Sequence, residues 1–162
     1  MPKKKEVIRT YPANIDAEKC ILASILLDKK VAIDIIPKLA ERDFSEIKHK
    51  EIFASCLALF EESIPIDIVV LADKLKRNGA LDKIGGVQYL VELTQTIPSA
   101  AGYTYYFNIV KRDSLLRSLL EVSKQIAEDV YTSEDADKSL SKAQTLVLDV
   151  VKQKGSRSLT HI

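Results

Sequence analysis

The stretch from Ser99 to Tyr131 contains no proline, and its one glycine, Gly102, sits in the first turn. Nothing in it removes an internal backbone donor or clashes with a preceding carbonyl, so a single long helix is expected. Apolar residues fall at Tyr106, Val110, Leu116, Leu119, Leu120, Ile126, Ala127 and Val130, with three- and four-residue spacings recurring among them. A helix of this span is about 50 Å long, more than a small domain encloses, so part of it must project. "TSED" then makes a turn. Ser133 is placed to cap a last helix carrying Ala136, Leu140, Ala143, Val147 and Val150 on one stripe. The chain therefore closes in an antiparallel helical hairpin.

The residues before it read as a compact set of shorter helices. Asp16 is positioned to cap a first helix, "AEKCILASILLD", apolar around most of its circumference, as a central bundle helix is. A short helix follows around Val31 to Leu39, interrupted by Pro37. "SEIKHKEIFASCLALFEES" is amphipathic, with Ile52, Phe53, Cys56, Leu59 and Phe60 on its inner face. Asp67 of "PID" caps the next helix, and Asn78-Gly79 stops it. "GGVQYLVELTQT" gives another helix, from Val87 to Thr96. Pro98 ends it, and Ser99 can cap the long one. No segment sustains period-two alternation. The fold class is all-α, with a compact helical head over residues 14–98 and the hairpin over residues 99–152. Residues 1–13 form a basic arm. After Val151 the sequence turns polar and basic, so 153–162 read as the start of a linker.

Composition excludes several function classes. The net charge is +1 and 46% of residues are hydrophobic, which describes a globular chain with no global pull toward nucleic acid. Cys20 and Cys56 lie inside apolar helical patterns, as reduced core cysteines do. No signal peptide or membrane-length apolar run is present, so a cytoplasmic protein is expected. "KIGGVQYL", Lys83 to Leu90, raises the possibility of a phosphate loop. It lacks the Lys and hydroxyl that should follow the glycines, and no strand precedes it. A tight turn at Gly85-Gly86 is the better reading. The two histidines, His49 and His161, are too isolated for a metal or acid–base site, and His49 reads as structural. No catalytic, cofactor-binding or metal site is expected.

Lys3, Lys4, Lys5 and Arg9 could touch nucleic-acid phosphate, although with so few charges a plain solvated terminus is the better reading. "YTYYF", Tyr103 to Phe107, points all round a helix, so packing and self-association suit it better than base stacking. The hairpin carries more apolar surface than one seam can bury. A second copy, or another protein, is expected to cover it. The candidate interface residues are Tyr103, Tyr106, Phe107, Val110, Leu115, Leu116, Leu119, Val122, Leu146, Val147 and Val150.

These features together resemble a known family. "AEKCILASILLD", Asp43-Phe44, His49, Ile52-Phe53, Pro65 to Asp67, "GALDKIGGVQYLVEL", Pro98 to Ala100, Tyr106, Ile109-Val110 and Arg117 follow one another as in the N-terminal domain of DnaB-type bacterial replicative DNA helicases. The resemblance runs from about Pro12 to Val151. Ala23-Ser24 stand near a common glycine of that family, Ser45 where tyrosine is common, and Gly102 where asparagine is common.

The resemblance implies a domain without catalysis of its own. ATP and Mg²⁺ would be bound by a RecA-like ATPase domain that would follow the linker. It implies a homohexamer whose N-terminal domains form a collar, a trimer of dimers. It further implies docking of the primase C-terminal domain and of helicase loaders, with single-stranded DNA passing through the complete ring. The alternative from the residues alone is a free-standing helical adaptor that binds a partner protein.

Overall fold

The computed structural model describes residues 10–156. The basic arm at Lys3, Lys4, Lys5 and Arg9 lies outside them, as does His161. Seven α-helices follow in order: α1 (Ile15–Leu27), α2 (Lys29–Ile35), α3 (Ile47–Glu61), α4 (Ile68–Arg77), α5 (Gly86–Thr94), α6 (Tyr103–Thr132) and α7 (Ala136–Ser156). Short 3₁₀ turns occupy Ile36–Lys38, Glu41–Asp43 and Ala100–Gly102. Among the described residues there is no strand.

Local chemistry sets most boundaries. The Asp67 carboxylate accepts from the Val70 amide at 2.8 Å and opens α4. Gly79 closes it at φ +69°. The amide of Ala80 donates to Leu75 and that of Gly79 to Lys76, the paired bonds of a Schellman ending. Ser63 closes α3 in the same way, at φ 58°, with Ile64 donating to Leu59 and Ser63 to Phe60. Pro37 lies in the 3₁₀ turn after α2, where its missing N–H cannot continue an α-helical ladder.

Three caps differ from expectation. Asn14, not Asp16, starts α1, its side chain accepting from Ala17 at 2.9 Å. Asp16 already lies in the first turn, where its charge suits the helix dipole. Ser99 caps the 3₁₀ turn before α6 rather than α6 itself. At the hairpin tip the Asp135 carboxylate accepts from the amides of Asp137 and Lys138. Ser133 instead accepts from the Asp135 amide and shapes the turn. At α1 and α7 a neighbouring polar residue had the better reach, whereas α6 follows directly from the 3₁₀ turn through Gly102 with no side-chain cap.

Gly85 and Gly86 form the turn into α5. Both lie at positive φ, +102° and +72°, which only glycine tolerates readily. The Gly86 amide donates to Leu81. A Cβ on Gly85 would sit 3.1 Å from Cβ of Tyr89, so the missing side chain also lets Tyr89 lie close.

The core gathers Ile21, Leu22, Ile25, Ile35, Phe44, Ile52, Phe53, Leu71, Leu75 and Ile84. The Phe44 and Phe53 rings stack with centroids 5.1 Å apart, a favoured aromatic spacing. Helix α6 belongs to this core over its first turns, since Phe107 and Val110 are buried in it and α6 packs along α1. Its remaining length pairs with α7. Helix α7 continues to Ser156, past the point where composition turns polar.

Candidate protein–protein interface on the hairpin

The hairpin closes along one seam, to which each helix contributes a stripe of mostly small and aliphatic residues. On α6, Leu115, Ser118, Val122, Ile126 and Asp129 are half-buried. On α7, Ser139, Ala143 and Leu146 are half-buried and Val150 is buried. Both sets recur at three- and four-residue spacing, as facing helices require. Asp129 fixes the register at the tip. It accepts from Lys142 at 3.2 Å. The Ser139 hydroxyl and then Lys142 hold its carboxyl below the usual range.

The other side of the hairpin is apolar and uncovered. Leu116, Leu119 and Leu120 on α6 and Val147, Leu148 and Val151 on α7 are all at least 40% exposed. Nearer the tip, Val130, Tyr131 and Leu140 reach 59%, 89% and 61%. Two helices cannot bury a second stripe facing away from their own seam. Contiguous apolar surface of this kind marks interaction sites.

The expected interface residues divide into three groups. Leu116, Leu119 and Val147 lie on the uncovered stripe. Leu115, Val122, Leu146 and Val150 belong to the seam between α6 and α7. Phe107 and Val110 are 2% exposed and face the head core, so they offer no surface to a partner. Tyr103 and Tyr106 are also engaged within the chain. The Tyr103 hydroxyl donates to Asp34 at 2.8 Å. Tyr106 packs against Cys20, Ala23 and Ile97. Tyr105, between them, is 77% exposed.

Leu148 and Val151 were missed because the expected α7 stripe was drawn through Val147 and Val150. These lie on different sides, the first outside and the second in the seam. A signal was available in the spacing of Leu140, Val147 and Val151, which repeats at near whole turns.

The charge along the hairpin is polarised. Near the head the exposed basic residues are Arg112, Lys152 and Lys154, opposed by Asp113 and Asp149, while Lys111 and Arg117 are bonded inward to Asp43 and the carbonyls around it. Near the tip stand Glu128, Asp129, Glu134, Asp135 and Asp137, opposed by Lys138 and Lys142.

Beneath the hairpin, buried polar groups wire the head together. His49 is fully buried on α3. Its Nδ1 lies 2.9 Å from Glu18 on α1, and its Nε2 lies 2.6 Å from the Tyr89 hydroxyl on α5. Ser45 adds its amide and hydroxyl to Glu18. Burial pushes the Glu18 carboxyl up, but His49 and Ser45 together outweigh it and hold the group below the usual carboxylate range. Burial, with Glu46, Glu92 and Glu18 nearby, pushes the Tyr89 phenol up to about 12. Every polar atom of this set has a partner within the set, so it welds three helices rather than presenting a reactive group. Among the described residues no group of three or more His, Cys, Asp or Glu is placed to hold a metal ion. No helix among them is long and apolar enough to cross a membrane.

A welded helical head with one continuous helix running out into a partly uncovered hairpin defines a head-and-hairpin, all-α domain. A sequence model described as the DnaB-like helicase N terminal domain matches residues 10–112, and the chain belongs to that family. The replicative DNA helicase DnaC of Bacillus subtilis (strain 168) is 32% identical over 155 residues, covering 95% of this chain and 34% of that protein. The chain thus spans about a third of the length of the curated relatives it matches. The crystal structure of the N-terminal domain of DnaB helicase from Mycobacterium tuberculosis superposes with a TM-score of 0.82 at 33% identity, over 87% of this chain and 99% of that one. A DnaB-like replicative helicase, whose structure was described with its interactions with primase, shares the fold at a TM-score of 0.74 and 22% identity, over 92% of this chain and 33% of that one.

Proposed function

We propose that this chain is the assembly and docking domain of a hexameric replicative DNA helicase. The observation that carries the proposal is the uncovered apolar stripe of Leu116, Leu119, Leu120, Val147, Leu148 and Val151. Its natural cover is the same stripe on a second copy, because an isologous contact makes one patch serve both partners. The polarised hairpin charge favours an antiparallel pair, with the basic base of one copy beside the acidic tip of the other. Three such pairs would close a collar around single-stranded DNA.

Primase is the second partner. The structurally similar helicase described with its interactions with primase supports a primase C-terminal domain docking on the outer collar. Docking across two neighbouring domains would bias the collar between wider and narrower arrangements by its differential affinity for the two. Helicase loaders would use the same exposed collar. The domain does no chemistry in this role. ATP and Mg²⁺ would act in a RecA-like domain, and the complete helicase would work in the bacterial cytoplasm.

Sedimentation of the purified chain tests the assembly role. Leu119→Glu combined with Val147→Glu places charge on the stripe without entering the seam. The wild-type chain should sediment as a dimer or larger and the double variant as a monomer. An unchanged oligomer in the double variant would remove the hairpin from the interface. Binding of a primase C-terminal domain to the wild-type chain, measured by calorimetry, tests the docking role separately.

A further inference from the structure

The place where α6 leaves the head holds a concentration of buried polar groups that neither core packing nor the outer stripe requires. Asp43, Ser114 and Arg117 are all buried there. The Arg117 guanidinium donates to the carbonyls of Pro12 at 2.9 Å, Asp43 at 2.9 Å and Arg42 at 3.2 Å. The last two end the 3₁₀ turn Glu41–Asp43, whose terminal carbonyls have no partner within the turn itself. The Asp43 carboxylate accepts from the Ser114 hydroxyl at 2.7 Å, the Lys111 ammonium at 3.1 Å and the Ala40 amide at 2.8 Å. One helix face thus grips one loop through Lys111, Ser114 and Arg117, spaced three residues apart.

The position of this grip matters more than its strength. The apolar anchors of α6 in the head core lie between Tyr103 and Val110: Phe107 and Val110 are buried, and Tyr103, Tyr106 and Ile109 pack against the same core. All of these anchors lie in the first two turns of a 30-residue helix, so a fastening further along adds leverage over its direction. Arg117 lies roughly 10 Å further along, and the helix then runs about 22 Å more to Thr132. A tilt of about 10° at the base would carry the tip through about 4 Å over that arm.

We infer that the Asp43–Ser114–Arg117 cluster is a positioning lock that sets the angle at which the hairpin leaves the head. Arg117 is its outermost fastening. It also ties the segment at Pro12 to the base of the hairpin. The lock is internal to one chain, so it stands whether or not the collar assignment does.

Double electron–electron resonance on the full 162-residue chain tests the lock. One nitroxide pair joins the head to the tip through Lys76→Cys and Glu134→Cys. A second, Lys29→Cys with Lys76→Cys, reports on the head alone. All three sites are exposed. Burial raises both native thiols, Cys56 to about 12, so the introduced cysteines label first. Excess unlabelled chain removes distances between copies.

In Arg117→Ala the head-to-tip distribution should widen by several Å while the head pair stays narrow. Arg117→Lys, which cannot reach three carbonyls at once, should widen it less. An unchanged head-to-tip distribution in Arg117→Ala would overturn the lock. If Arg117→Ala also broadens the head pair, Ser114→Ala decides the matter, since it removes only the bonds of one hydroxyl. Widening of the head-to-tip distance alone in that variant supports the lock, and any other result there overturns it.

Discussion

The Tyr89 hydroxyl and Nε2 of His49 share a hydrogen bond of 2.6 Å, joining residues 40 positions apart in the sequence. On the other side of the ring Nδ1 lies 2.9 Å from the Glu18 carboxylate, which as an ionised group can only accept, so Nδ1 is the donor there. Tyr89→Phe leaves Nε2 buried without its partner and should cost about 1–3 kcal/mol in urea unfolding. A loss below a few tenths would show that water replaces the phenol at no cost.

Gly85→Ala should destabilise the same corner by a second route. It forces a side chain into φ +102° and pushes against Tyr89. The backbone term alone is about 1–2 kcal/mol. Combined with Tyr89→Phe the cost should be less than additive, because Gly85 acts partly by letting Tyr89 lie close. Chemical denaturation of the two single variants and the double variant measures the coupling.

The pH dependence of the head has two arms of opposite sign. The Glu18 carboxyl is held below its ordinary 4.5, so its stabilising contribution is fully present above that value. It is lost as pH falls through the depressed folded value. Tyr89 is raised from 10.0 to about 12. Its contribution is present below 10 and lost as pH rises toward 12. Urea unfolding followed across pH should show the acid loss shrink in Glu18→Gln and the alkaline loss shrink in Tyr89→Phe. Unchanged slopes in those variants would place the titrations elsewhere.

Ser63 is the one described non-glycine residue at positive φ, and it closes α3 where glycine is the usual choice. Ser63→Gly should stabilise the chain by about 0.5–1 kcal/mol, read as a small rise in Tm. A fall in Tm would mean that the serine side chain makes up for its backbone strain.

Charge polarity along the hairpin gives a reversal test of antiparallel pairing. Lys152→Glu with Lys154→Glu should weaken the dimer by placing acid beside the partner's acidic tip. Adding Glu134→Lys with Asp135→Lys should restore it. The rescue should fade at high salt, because exposed pairs are screened within about a Debye length. Sedimentation equilibrium at two ionic strengths reads both effects, and failure of the swap to rescue would favour a parallel pair.

Local features of the chain were legible in the sequence. The Asp67 cap, the Gly79 stop, the turn at Gly85-Gly86 and the unbroken course of α6 each depend on residues within a turn of one another. Two of the shifted caps were errors of phase, in which Asn14 and Asp135 outreached Asp16 and Ser133, and the third arose because a 3₁₀ turn intervenes between Ser99 and α6. Phe107 and Val110 illustrate a different limit. Periodicity identifies an apolar face but not which neighbour covers it, and here the head covers it. The His49 and Arg117 networks could not be read from spacing, because their partners lie dozens of residues away. The family resemblance had marked many of those residues, Asp43, His49, Gly85, Gly86, Tyr89 and Arg117 among them. Their tasks became visible only as distances: they hold the head together and fasten the hairpin to it.

Helix α6 passes without interruption from the head core to the hairpin tip, and that continuity restricts how such a chain can vary in length. Each residue added between Val110 and Leu116 would rotate everything beyond it by about 100°. One insertion would turn the whole hairpin, seam and α7 together, about the α6 axis and swing the outer stripe away from its partner. Seven would restore the face to within about 20°. Single-residue insertions should therefore be confined to the tip turn between α6 and α7, while any lengthening within the paired helices should come in matched steps of about two turns.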